Sequence, residues 1–317
     1  MEFLRFLEGM RLPFLDVLFS LITRMGEETL FIVVGILCFW CISKRHGYYI
    51  LSVGFLGTVI NQFLKLSFRI PRPEKLSPGF TIVESAREAA EGFSFPSGHT
   101  QTAAGLFGCI AVVARRRAVT IVAILLTALV AFSRMYLGVH TPLDVVVSLA
   151  VAVILVLGMH PLLERAVNTR QGMLVFFSGM LVLSLAFLLF VLLFPFPLAK
   201  DDHNYISGLK AAYKILGCVL GIFLAYLIED RYIRFETRAS LPIQAMKLIL
   251  GLIPLLAIKE GLRAPLKYLF GEALGGGVRY LLVAFFAAAI WPLTFKGFAR
   301  LDRLIKARKK QGRAKTL

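Results

Sequence analysis

Two histidines, one aspartate and several cations interrupt an otherwise apolar chain in three short stretches. Lys65, Arg69, Arg72 and Pro73 stand in "KLSFRIPRP", Pro96, Ser97, Gly98 and His99 in "FSFPSGHT", and Ser133, Arg134, His140 and Asp144 in "SRMYLGVHTPLD". These residue types suit phosphoryl transfer. Lys65, Arg72 and Arg134 offer point-like and fork-shaped positive charge to phosphate oxygens. Pro96 favours a helix start, and Ser97 and Gly98 then present a hydroxyl and unobstructed backbone N–H groups, a natural anion cradle. Two imidazoles divide the remaining work: one attacks phosphorus and the other protonates the leaving oxygen. His140 is the better nucleophile, because Asp144 follows four residues later at a helix start and can hold one ring N–H, fixing the tautomer. His99 is then general acid, and afterwards the base that activates water. Arg69, one turn from both Lys65 and Arg72, and Ser133 are auxiliary candidates. No carboxylate cluster suited to Mg²⁺ or Zn²⁺ accompanies these residues, so the expected chemistry uses neither metal nor cofactor.

Hydrophobic helices must position them. Of 317 residues, 58% are hydrophobic and 17% charged, with mean hydropathy +0.76. That composition suits an all-α bundle in a bilayer, where apolar surface need not be hidden. Nine stretches are long enough to span: 27–43, 47–65, 96–114, 118–138, 142–163, 172–194, 209–228, 241–258 and 277–295. Residues 1–26 read as an amphipathic interfacial helix broken at Pro13, without the uninterrupted apolar core of a cleavable leader. The organisation expected is an interfacial segment 1–26, a six-helix core 27–194, three further spans over 195–295, and a basic tail 296–317.

The formal charge of +17 invites a nucleic-acid partner. Lys and Arg instead cluster between apolar runs, as in Lys44–Arg45 and Arg115–Arg116–Arg117, which fits positive-inside topology and argues against nucleic acid. The tail "KGFARLDRLIKARKKQGRAKTL" carries nine Lys or Arg against one Asp and is expected to be cytoplasmic. Parity then gathers the three polar stretches at the opposite, extracytoplasmic face. Ionisable residues at membrane depth are costly, and point by default to function. Trp40 and Trp291 fall near the inner boundary, as an aromatic belt requires.

The ordered set Lys65, Arg72, Pro73; Pro96, Ser97, Gly98, His99; Ser133, Arg134, His140, Asp144 resembles the type 2 phosphatidic acid phosphatase superfamily, without departure in residue type or spacing. The resemblance covers about the first 60% of the chain. It implies a six-span helical core and a phosphohistidine mechanism in the roles just argued. It leaves the last three spans unexplained.

A site at the edge of a bundle can take a lipid's phosphate head while the tail stays in hydrocarbon. The substrate expected is therefore a lipid phosphate: phosphatidic acid, phosphatidylglycerophosphate, a sphingoid or lipid A phosphate, or polyprenyl diphosphate. Nine spans are also similar to glucose-6-phosphatase, of the same superfamily, which acts on a soluble sugar phosphate. Openings lined by Leu and Phe favour the lipid, whereas a closed aqueous vestibule favours the sugar. An anion channel or transporter is the alternative from another class, though neither broken helices nor paired repeats stand out. Transfer to a second lipid instead of water also stays open, and nothing fixes an oligomeric state. The bacterial plasma membrane fits best, with an endoplasmic reticulum membrane as the alternative.

Other reactive side chains read as structural. Cys38, Cys41, Cys109 and Cys218 all lie in apolar runs and give no disulfide framework. His46 sits in a basic turn and His160 at the inner end of a span. His203, with Asp201 and Asp202, belongs to a solvated loop.

Overall fold

The structure is a computed structural model that describes residues 1–87, 90, 92–199 and 202–314. Its helices are α1 (Glu2–Gly9), α2 (Pro13–Thr23), α3 (Glu28–Leu37), α4 (Lys44–Phe68), α5 (Pro73–Leu76), α6 (Gly98–Ala114), α7 (Arg117–Tyr136), α8 (Pro142–Ala166), α9 (Arg170–Leu193), α10 (His203–Ile228), α11 (Leu241–Gly261), α12 (Arg263–Phe270), α13 (Glu272–Phe285) and α14 (Phe295–Ala314). No strand occurs among the described residues. Seven helical segments are long and apolar enough to cross a membrane, or eight if the pair Pro13–Gly26 and Glu28–Ile42, bent by 46°, counts as one broken span. The ninth expected stretch, 96–114, is α6, which at 17 residues is shorter than those segments.

The chain divides into two compact units. One holds Met1–Gly35 and Tyr48–Ala212; the other holds Ile36–Gly47 and Tyr213–Leu317.

In the first unit α6 is the central helix, with no exposed residue along its length. Ala103, Ala104, Gly105 and Gly108 keep its surface small, so neighbours approach closely; a Cβ on Gly108 would stand 3.1 Å from Val156 of α8. Small faces are how helices pack where no hydrophobic effect drives them together. The outer faces of α7, α8 and α9 expose Ile121, Ile124, Val153, Ile154, Val175 and Val182. Such rows suit lipid, since water would leave them unburied.

The N-terminal segment splits at Pro13, which opens α2 from the first helical position, where its missing N–H is harmless. Both halves are tied into the unit rather than only lying at an interface. Leu4 is buried among Phe80, Ile82, Tyr136 and Leu137, and Phe19 of α2 stacks 4.4 Å from Tyr136 of α7. Arg11 reaches across, donating to the carbonyls of Thr81 at 2.9 Å and Tyr136 at 3.2 Å.

In the second unit Gly217 and Gly221, one turn apart on α10, meet α13. A Cβ on Gly217 would fall 2.0 Å from the Gly277 carbonyl. Trp40 is not part of an exposed aromatic belt. It is fully buried, donates from Nε1 to the Ala287 carbonyl at 2.7 Å, and packs 6.1 Å from Trp291. An indole buried with its N–H satisfied serves as core.

Candidate active site

The three polar stretches meet within the first unit. The link from α7 to α8 turns at Gly138, whose φ of +79° is one a side chain would strain, and delivers His140 just before α8. Thr141 caps α8: its hydroxyl accepts from the Asp144 N–H at 3.3 Å, and Asp144 Oδ2 accepts from the Thr141 N–H at 2.8 Å. This capping box fixes the carboxylate before it meets any imidazole. The same Oδ2 lies 3.4 Å from His140 Nδ1 and accepts from the Ser94 hydroxyl at 2.5 Å. His140 is 2% exposed and Asp144 1%.

The tautomer of His140 follows from its neighbours. Arg72 Nη1 stands 3.2 Å from Nε2, and a guanidinium can only donate; the carboxylate at Nδ1 can only accept. The proton therefore sits on Nδ1 and the free lone pair on Nε2. Burial, and then the charges of Arg72, Arg134 and Lys65, hold this imidazole well below its ordinary value near 6.5, which keeps it neutral.

The cations converge on the same place. Lys65, in the last turn of α4, donates to the Phe93 carbonyl. Arg72 donates from Nε to the Gly92 carbonyl at 3.2 Å and from Nη1 to the Val139 carbonyl at 3.1 Å. Arg134, in the last turn of α7, is wholly buried and gives Nη1 to the Thr23 hydroxyl at 2.8 Å, while Nε and Nη2 have no hydrogen-bond partner among the described residues.

Lys65, Arg72, His99 and His140 line a cavity of about 150 Å³, together with Gly98, Asn61, Gln62, Asn204 and Ser207. Leu66, Gly92 and Phe93 also line it, whereas Arg134 and Asp144 do not. A second cavity of about 380 Å³ shares Asn61, Gln62, Gly98 and His99 with the first and runs on between α3, α4, α6 and α8. Phe31, Ile32, Leu51, Val53, Phe55 and Leu155 make most of its lining apolar, while Glu27, Glu28, Thr29 and Gln101 add polar groups.

Some expected residues are placed differently from the cradle imagined for them. Ser97 is the N-cap of α6; its hydroxyl meets the N–H and hydroxyl of Thr100, and its N–H donates to the Asp144 carbonyl at 3.2 Å. It therefore ties the start of α6 to the start of α8. Ser133 gives its hydroxyl to the Val130 carbonyl at 2.6 Å. Arg69 closes α4 with a left-handed φ of +52°, and neither it nor Ser133 lines the cavity. His160 packs edge-on to Tyr49 at 5.3 Å. Asp202 caps α10 through the Asn204 N–H at 2.7 Å, whereas Asp201 lies outside the described residues.

Sequence reading missed Thr23, Asn61, Ser94, Gln101, Asn204 and Ser207. Asn61 carried a signal, standing one helical turn before Lys65 in an apolar helix; Gln101, two residues after His99, accepts from its amide at 2.9 Å. Thr23 and Ser94 carried none, since only folding brings them to Arg134 and Asp144.

With this geometry in hand, two family models match the chain and between them cover most of it. The PAP2 superfamily model matches residues 45–167, which contain every one of the three motifs, and the model for the transmembrane extension of PAP2 superfamily phosphatases matches 213–303. The chain belongs to the PAP2 superfamily. Among curated proteins it is similar to a probable sphingosine-1-phosphate phosphatase of Dictyostelium discoideum, 28% identical over 240 residues, covering 70% of this chain and 55% of that protein. It is also similar to the undecaprenyl-diphosphatase BcrC of Bacillus subtilis, 35% identical over 113 residues, 36% of this chain and 55% of that one. Phosphatidylglycerophosphatase B of the same organism is 28% identical over 174 residues, 51% and 81% of the two chains. The chain thus spans about half the length of the first two relatives. No solved structure matches it. The second family match accounts for the spans that the motifs left unexplained: they are an extension that accompanies superfamily phosphatases.

Proposed function

We propose that this chain is a membrane-integral, metal-independent phosphatase that hydrolyses a lipid phosphate or polyprenyl diphosphate at the extracytoplasmic face. In the first step Nε2 of His140 donates its lone pair to phosphorus, and the bond from phosphorus to the leaving oxygen breaks. His99 gives that oxygen a proton. The imidazolium left at His140 shares its Nδ1 proton with Asp144, itself held by Ser94 and Thr141. In the second step His99 takes a proton from water, the water oxygen attacks phosphorus, and the P–N bond breaks to release inorganic phosphate. Lys65, Arg72 and Arg134 balance the charge that builds on the equatorial oxygens.

One observation favours lipid over sugar: the mainly apolar cavity of about 380 Å³ meets the cationic one at His99. A phosphate head in the smaller space leaves its tail among Phe31, Leu51 and Leu155, whereas a sugar phosphate has no use for such a lining. The three relatives' names, a sphingoid phosphate, a polyprenyl diphosphate and a phosphatidylglycerophosphate phosphatase, support the same substrate class. The charged tail and loops support a cytoplasmic C-terminus in a bacterial plasma membrane.

The test is phosphate release from lipid monophosphates, polyprenyl diphosphate and sugar phosphates by the chain in detergent, with excess chelator. Turnover of lipids alone, lost in His140→Ala, is the expected result. Full turnover by that variant removes the mechanism. Turnover of sugar phosphates alone removes the substrate class, and loss of activity with chelator removes metal independence.

A further inference from the structure

We infer that the corner between α2 and α3, residues Thr23 to Gly26, belongs to the phosphate-binding machinery, with Thr23 a positioning residue for Arg134. The inference rests on reading the site as a phosphate site.

Arg134 is a fully buried cation, and a buried charge needs its N–H groups satisfied. Among the described residues it has one tether, the Thr23 hydroxyl, 2.8 Å from Nη1. Thr23 is itself 9% exposed. On the other edge of the guanidinium, Nε and Nη2 have no partner among the described residues. Those two donors lie side by side and parallel, the fork that grips two oxygens of one phosphate. Holding Nη1 on Thr23 sets the plane of the group and so the direction of the fork. A guanidinium released from that tether can rotate about its side-chain torsions, and the fork loses its aim.

The same corner supports the second histidine. A Cβ on Gly26 would fall 2.6 Å from the His99 carbonyl and 3.0 Å from both His99 Cβ and Val130 Cγ1. Backbone so close cannot yield as a flexible side chain can. Only glycine lets the chain pass beneath the first turn of α6, where it also lines the larger cavity. One four-residue corner thus touches Arg134 on α7 and His99 on α6. It lies outside residues 45–167, so the superfamily match does not include it.

The experiment compares wild type, Thr23→Val, Thr23→Ser and His140→Ala as full chains in detergent. The readouts are kinetics on a lipid phosphate and a soluble aryl phosphate, inhibition by inorganic phosphate, and thermal unfolding. Val matches Thr in shape but cannot accept from Nη1, and a hydrogen bond to a charged group is worth about 10- to 100-fold. Thr23→Val should therefore weaken phosphate inhibition and kcat/KM by about that factor on both substrates. Thr23→Ser should recover to within about threefold, and every variant should still unfold cooperatively, Thr23→Val at a lower temperature than Thr23→Ser. Unchanged phosphate inhibition in a folded Thr23→Val, or a Ser variant as impaired as Val, overturns the inference while an inactive His140→Ala leaves the site reading intact. Full turnover by His140→Ala overturns the site reading and this inference with it.

Discussion

Nη1 of Arg72 stands 3.2 Å from Nε2 of His140, on the nitrogen assigned as nucleophile, while Nδ1 of the same ring faces Asp144 at 3.4 Å. The ring is held between a group that can only donate and one that can only accept, so its Nε2 lone pair faces Arg72. In the proposed mechanism the same Arg72 N–H turns from nitrogen to a phosphate oxygen when substrate arrives and so frees the lone pair. Arg72→Lys keeps the charge but loses the fork. It should lower kcat/KM by about 100-fold, a loss of roughly 3 kcal/mol in transition-state stabilisation, and the reduction should be larger than the rise in KM. Steady-state kinetics on a lipid phosphate check it.

The two histidines should separate by step. His140→Ala removes the attacking nitrogen and should give neither turnover nor a phosphorylated protein. His99→Ala loses the acid, which matters least for an activated aryl phosphate, and loses the base that the second step needs. It should therefore accumulate phosphoenzyme from an aryl phosphate, stable to base and labile to acid as a P–N bond is. Rapid quench with labelled substrate reads this directly. Phosphoenzyme in His140→Ala, or none in a folded His99→Ala, contradicts the assigned roles.

Depressed basicity at His140 has two consequences with a definite sign. Burial and three cations keep the ring neutral below the ordinary imidazole value of 6.5, so kcat/KM should not fall with unit slope through pH 6.5 on account of the nucleophile. In the unfolded chain the ring protonates near that value. The stability it contributes is therefore complete above about pH 6.5 and declines as pH falls further. His140→Gln should flatten part of the acid-side fall in melting temperature between about pH 6.5 and 5, measured in the same detergent.

Ser94 is the least conspicuous member of the site. It is fully buried and donates to the same Asp144 oxygen that faces His140. Without it the carboxylate keeps its capping-box contact with Thr141 but loses a short, charge-assisted bond. Ser94→Ala should reduce kcat by about tenfold, with KM for the lipid nearly unchanged, since the group acts through Asp144 and does not line the cavity. An unchanged kcat removes it from the relay.

Sequence made the long apolar helices and the three motifs legible because both are local. The length of the apolar stretches gave α7, α8 and α9 within a few residues, and Pro142 with Asp144 announced the start of α8. What it missed is partly local and partly not. Ser97, read as a phosphate donor, and Ser133, an auxiliary candidate, turn their hydroxyls to groups three residues away, Ser97 to Thr100 and Ser133 to the Val130 carbonyl. Thr23 looks like nothing until α2 packs against α7, and Trp40 looks like a belt residue until Ala287 accepts its N–H. Small residues were the remaining blind spot: Gly26, Gly108 and Gly217 carry no signal in sequence, yet at each another backbone or side chain comes within about 3 Å of where a Cβ would stand.

The mainly apolar cavity makes the last prediction. Ile32 of α3 is half-buried and lines it, and neither Lys65 nor Arg72 does. Ile32→Trp adds ring volume there without touching Lys65, Arg72 or either histidine. If the cavity holds the first part of a lipid tail, the bulk displaces about three to four methylenes, each worth roughly 0.8 kcal/mol. kcat/KM for a long-chain phosphate should then fall by about 100-fold, while a short-chain or aryl phosphate, whose reacting group sits in the smaller cavity, should keep wild-type kinetics. The short substrate thereby serves as the control for folding. Unchanged kinetics on the long-chain substrate mean that the tail does not enter between α3 and α6, and the lipid then reaches His140 by another side of the bundle.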